Sequence, residues 1–141
     1  MPIFPAEFKE IAKFHHFGLA VKDFNNPIKF YKNIGYVCSE PLKDNIQGVE
    51  IIMCLSNFFP NVELVTPIEE NSPIKNFLKN NNELIYHICY EVQSLEKVLE
   101  IIKRTNRVIC ANKPKPAILF NNKFVSFYYI KDVGLIEFLE K

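Results

Sequence analysis

Apolar and polar residues alternate along this chain in two rhythms, and the order of the rhythms repeats. Residues 14–21 read as a strand, and Asp23-Phe24-Asn25-Asn26 leads from it into a helix with Pro27 in the first turn. Phe24, Ile28, Tyr31 and Ile34 form the apolar stripe of that helix, and Gly35 stops it. Strands follow near 36–40, 49–55 and 61–66. A short helix start at 72–78 and a polar loop at 80–82 then separate the halves. The scheme returns with a strand at 85–92, Ser94 as a helix N-cap, and a stripe of Leu95, Val98, Leu99 and Ile102. Strands near 108–111, 123–130 and 134–139 complete it, while Pro114 and Pro116 exclude a central strand and mark a loop.

This pattern predicts an α+β fold built from two pseudo-symmetric βαβββ modules. Their curved mixed sheets enclose a cleft, with the helices outside. Module one spans about 14–67, a linker helix about 71–80 and module two about 84–140, all within one domain of residues 1–141. Period-two alternation assigns the faces. Glu63 shares a face with Asn61 and Val65, while Val62 and Leu64 face the helix; Glu137 shares a face with Leu135 and Leu139.

Composition narrows the partners. With 141 residues and 48% hydrophobic content the chain can bury a substantial core. A net charge of +1 gives no electrostatic reason for nucleic acid or an anionic membrane as partner. Cys38, Cys54, Cys89 and Cys110 lack CxxC spacing and read as small buried hydrophobes of a reducing compartment. Residues 1–13 contain no apolar segment of a secretory signal, and no apolar run reaches membrane length, so a cytoplasmic location is expected.

The repeat also carries chemistry. Glu63 follows His16 by 47 residues (63 − 16), and Glu137 follows His87 by 50 (137 − 87). Phe14-His15-His16-Phe17-Gly18 aligns with Ile85-Tyr86-His87-Ile88-Cys89. Both glutamates lie inside apolar runs, where a carboxylate is costly unless it is paired or binds a cation. Two imidazoles and two carboxylates, one of each per repeat, make a four-ligand site for a divalent ion such as Zn, Co, Ni, Mn or Mg. His15 reads as an ordinary core or surface histidine, and Glu50 as a surface-facing strand residue.

These segments resemble the vicinal oxygen chelate (glyoxalase, bleomycin resistance and dioxygenase) superfamily, and within it the methylmalonyl-CoA epimerases most closely. The likeness rests on His16-Phe17-Gly18-Leu19-Ala20-Val21-Lys22-Asp23, Gln47-Gly48-Val49, Thr66-Pro67, Ser72-Pro73-Ile74-Lys75-Asn76-Phe77-Leu78, Tyr86-His87-Ile88-Cys89 and Gly134-Leu135-Ile136-Glu137. The resemblance implies metal ligation by His16, Glu63, His87 and Glu137, catalytic work by Glu137 and Glu63, and a homodimer. It implies an isomerase or epimerase that abstracts a proton next to a carbonyl, on an acyl-CoA thioester. Its alternatives are a lactoylglutathione lyase and a non-catalytic binding protein of the bleomycin-resistance type. The chain departs from the epimerase pattern in three places. Glu63 stands where Gln is frequent, Ile51 stands where some members carry a catalytic Glu, and Tyr128-Tyr129-Ile130-Lys131 replaces an HPK segment.

Overall fold

The computed structural model describes residues 6–141. Helix α1 (Ala6–Ile11) leads into β1 (Ala12–Val21), α2 (Asn25–Asn33), β2 (Val37–Cys38), β3 (Leu42–Asp44), β4 (Val49–Leu55) and β5 (Val62–Pro67). Helix α3 (Pro73–Phe77) connects to β6 (Glu83–Val92), α4 (Leu95–Lys103) and β7 (Val108–Ala117). A 3₁₀ turn (Ile118–Phe120), β8 (Lys123–Ile130) and β9 (Gly134–Glu140) complete the chain. The expected βαβββ scheme is therefore present in both halves, with short β3 as an additional strand in the first.

The module sheets are joined edge to edge. The strand order is β2-β4-β5-β1-β6-β9-β8-β7, with β3 also pairing β4. In each module the last strand runs parallel to the first, β5 beside β1 and β9 beside β6. The modules meet through the antiparallel pair β1–β6. A parallel pair needs a crossover, and α2 and α4 provide it.

Local signals explain both helices. Ser94 accepts a hydrogen bond from the Lys97 N–H at 3.2 Å and so caps α4. Gly35, at φ +104°, ends α2 in a backbone conformation that L side chains rarely adopt. Helix α2 packs Phe24, Ile28 and Tyr31 on Ile52, Val62 and Leu64, as the face assignment required. Helix α4 packs Val98, Leu99 and Ile102 on Val92, Ile130, Ile136 and Phe138, with Phe8 and Ile11 of α1 beside them. Full burial of a side chain such as Phe138 contributes about 1.5–3 kcal/mol. On the opposite, inward face, α3 places Ile74 against Val49, Ile51 and Val65. That face also groups Cys89, Ala117, Val125 and Leu139.

Three elements differ from the sequence expectation. The predicted loop around Pro114 and Pro116 is strand, because β7 is an edge of the sheet and an edge strand tolerates residues without an N–H. Its pairing with β8 slips twice, at Cys110–Asn112 and Asn112–Lys115. Short β3 and α1 carried too little periodicity to be read. Of the cysteines, Cys54 and Cys89 are buried, Cys38 is half-buried and Cys110 is exposed.

Candidate metal centre and its cavity

His16 and His87 lie on adjacent central strands, and each directly follows a β-bulge. Phe14 pairs with Tyr90 and His16 with Cys89, which leaves His15 as the extra residue on β1. Gly18 pairs with His87 and Leu19 with Ile85, which leaves Tyr86 as the extra residue on β6. His15 and Tyr86 are equivalent positions of the repeat, so the two bulges form a matched pair. A bulge re-aims the side chains beside it. Here it brings the His15 and His16 rings to 5.1 Å between centroids, although strand neighbours ordinarily point to opposite faces.

Two rows of paired residues hold the four candidate ligands. Glu63 and His87 flank Gly18 from β5 and β6. His16 and Glu137 flank Cys89 from β1 and β9. Gly18 belongs in its row for a steric reason: a Cβ there would overlap the His87 ring.

The four side chains converge. His16 Nε2 lies 3.2 Å from His87 Nε2, 3.2 Å from Glu137 Oε1 and 3.5 Å from Glu63 Oε2. His87 Nε2 lies 3.1 Å from Glu137 Oε1 and 3.7 Å from Glu63 Oε1. Donors bound about 2.1 Å from one ion stand roughly 3.0–3.4 Å apart, so this set has the spacing of a coordination shell. All four residues are at most 5% exposed. Among the described residues His87 Nδ1 makes no hydrogen bond, and Glu137 Oε1 meets the two imidazole Nε2 atoms, a crowding of buried acceptors that a bound cation would relieve. His16 Nδ1 lies 2.8 Å from His15 Nδ1. With His16 Nδ1–H donating and His15 Nδ1 accepting, the His16 Nε2 lone pair faces the centre.

The two carboxyls differ electrostatically. Burial would raise Glu137, but the His87 and His16 imidazoles outweigh it and hold this carboxyl far below the usual range. Burial raises Glu63 and Glu137 raises it further, against the opposing pull of His16. Burial lowers His16, yet the two carboxylates more than reverse this and leave its pKa raised. Burial and then His16 lower His15.

Glu63 and Glu137 both border a cavity of about 340 Å³ that the two modules share. Its walls are mostly apolar, with Ile51, Ile74, Phe120, Phe127 and Leu135 among them. Asp44, Gln47, Tyr86 and Asn112 also face it; no Lys or Arg does among the described residues. Glu50 does not face it and stands opposite Lys43 in register, as its parity in β4 required. Asp44 escaped the sequence reading. Its Oδ1 accepts from the Ile46 and Gln47 N–H groups at 3.0 Å, and the Asp-Asn turn start before Gly48 was the available signal.

Comparison with known proteins joins this geometry to a family. Residues 15–127 match the model of the glyoxalase/bleomycin resistance protein/dioxygenase superfamily. The chain belongs to this superfamily. It is 34% identical over 137 residues to the mitochondrial methylmalonyl-CoA epimerase of Dictyostelium discoideum, covering 93% of this chain and 80% of the relative. It is also 34% identical over 127 residues to the ethylmalonyl-CoA/methylmalonyl-CoA epimerase of Cereibacter sphaeroides, covering 86% and 91%. The fold superposes on the methylmalonyl-CoA epimerase structure from Mycobacterium tuberculosis with a TM-score of 0.74 at 22% identity, over 90% of this chain and 86% of the other.

Proposed function

We propose that this superfamily member is a metal-dependent epimerase that moves a proton at the carbon next to a thioester carbonyl, with a branched acyl-CoA of the methylmalonyl kind as substrate. One observation carries the reading. Two carboxylates in equivalent positions of the two modules border one apolar cavity, with two buried imidazoles beside them. The 34% identity to epimerases of two organisms supports the choice of reaction.

His16, Glu63, His87 and Glu137 would hold the cation, and their nitrogen and oxygen donors suit Zn, Co, Ni, Mn or Mg. When bound, the ion supplies Lewis-acid stabilisation of the oxyanion that forms as the α-proton leaves. The rest of the chemistry belongs to the chain. One carboxylate oxygen takes the α-proton, and the C–H electron pair moves into the thioester carbonyl to give an enolate. The second carboxyl returns a proton to the opposite face of the same carbon. Glu137 and Glu63 are the candidates for these two roles, a reading supported by their equivalent positions in the two modules at one cavity. Apolar walls keep water from the enolate and strengthen the electrostatics inside. Among the described residues no Lys or Arg lines the cavity, so a cation held by the four-residue cluster would supply the positive charge for a substrate carboxylate.

The test is made on protein loaded with each of these cations in turn. It is given a 2-methyl-branched malonyl-CoA thioester in deuterated water, beside a glutathione hemithioacetal. Deuterium at the α-carbon without hemithioacetal turnover supports the epimerase; the reverse supports a lactoylglutathione lyase. Neither reaction with any cation leaves a small-molecule binding protein. A homodimer and a cytoplasmic location accompany the proposal. The first rests on family resemblance and is checked by analytical ultracentrifugation; the second rests on composition and is checked by fractionation.

A further inference from the structure

We propose that Cys38 and Cys54 are a disulfide-forming site, closed by exchange with a small-molecule disulfide. The inference is independent of the metal centre. Strands β2 and β4 pair antiparallel with Cys38 directly opposite Cys54, and their Sγ atoms are 2.9 Å apart. The neighbouring pair, Ser39 and Met53, carries the ladder bond from Ser39 N–H to Met53 C=O at 2.9 Å. Antiparallel ladders alternate, so Cys38–Cys54 is a non-hydrogen-bonded pair. At such pairs the Cα atoms stand about 4.5 Å apart, inside the range of roughly 4.4–6.8 Å that disulfides span. The two sulfurs need to approach by less than about 1 Å to reach the bond length of about 2.05 Å.

Access divides the roles. Cys38 is half-buried, whereas Cys54 is fully buried among Tyr36, Ile52 and Leu64. The Cys38 thiolate attacks one sulfur of the small disulfide RSSR, giving Cys38–S–S–R and releasing RS⁻. Cys54 then gives up its proton to solvent, attacks the Cys38 sulfur and displaces the second RS⁻. In sum, two protein thiols and RSSR become one protein disulfide and two RSH. Burial, followed by the contact with Cys38, pushes the Cys54 thiol up, so the second step accelerates in base. Cys38 faces Cys54 directly across β2 and β4, whereas Cys110 stands opposite Tyr128 on β8. The closed loop contains β3 and the turn after it. It therefore fastens Asp44, Gln47, Val49 and Ile51 in the cavity wall.

The experiment uses full-length protein, first fully reduced and then incubated with oxidised glutathione at about pH 8.5, near the ordinary thiol pKa. Intact mass should fall by two hydrogens, and a non-reducing peptide map should link the Cys38 and Cys54 peptides. Hydrogen exchange across residues 39–53 should slow and Tm should rise by about 5 °C, both reversed by dithiothreitol. Cys54→Ser should stop at the glutathione adduct on Cys38, and Cys110→Ser should leave the closure intact. The proposal is overturned if wild-type Cys38 stays unmodified, remains a glutathione adduct, or links to a cysteine other than Cys54.

Discussion

The two modules place the same four kinds of group around one centre, but they do not support them equally. In module one His16 has a neighbour at its outer nitrogen, His15, while in module two the outer nitrogen of His87 has no partner among the described residues. The bulged residue before His87 is Tyr86, whose ring packs on the imidazole at 4.4 Å between centroids and has no ring nitrogen to offer. The small residue facing each imidazole differs too, Gly18 against His87 and Cys89 against His16. So does the state of each carboxyl: Glu137 is held ionised, and Glu63 is pushed toward its neutral form. Duplication sets where the four side chains stand. The local differences set which imidazole is rigidly oriented and which carboxyl retains its proton more readily.

The largest expected effect ignores the asymmetry. His87→Ala should abolish stoichiometric metal binding, and His16→Ala should do the same, as read by metal mass spectrometry of purified protein. If either variant keeps a full equivalent, the four-ligand centre is wrong. Next come the carboxyls. Glu137→Gln keeps the size and some ligation but loses the base. Its α-proton exchange should drop by about 10²–10⁴-fold with part of the metal retained. Glu63→Gln restores a residue frequent in the resembling epimerases and should cost less. Equal losses would erase the proposed difference in role.

Gly18→Ala against Cys89→Ala tests the unequal rows. A methyl on Gly18 must displace the His87 ring, so stability should fall by about 1–3 kcal/mol, and metal affinity with it. Cys89→Ala adds no atoms and should leave affinity within a few-fold; chemical denaturation and metal titration on both variants check the contrast. Acid should weaken metal binding, because bound imidazoles must be neutral and protons compete with the ion, and the raised pKa of His16 starts that competition at higher pH. Metal affinity should therefore fall as pH drops through the histidine range, and flat affinity across that range would exclude imidazole ligation. The smallest effect is His15→Ala. It removes only the group that orients His16 and should weaken metal binding about tenfold without abolishing it.

The convergence of His16, Glu63, His87 and Glu137 was legible because it was written twice: a His on a strand and a Glu inside an apolar run, repeated in register, leave few arrangements open. Face assignments from parity held for Glu63, Glu137, Val62, Leu64 and Glu50. The bulges were not legible. One extra residue on a strand leaves period two intact on either side, and only the partner strand reveals the slip. His15 was therefore read as an ordinary histidine, although its placement next to His16 depends on that slip. Strand β7 was missed for another reason. Proline bars a strand only where both neighbours must be hydrogen-bonded, and edge position is a property of the assembled sheet.

That same edge has a consequence for the protein in a crowded solution. An open sheet ends in two unsatisfied rims, and a rim is a template on which further chains can stack into fibres. At one rim, β2 is two residues long and gives an incoming chain little to grip. At the other, Pro114 and Pro116 lack the N–H groups that a continuous ladder would require, and the exposed Lys113 and Lys115 add repulsion between copies. The prolines that obscured the strand in the sequence blunt this edge of the curved, unclosed sheet against such stacking.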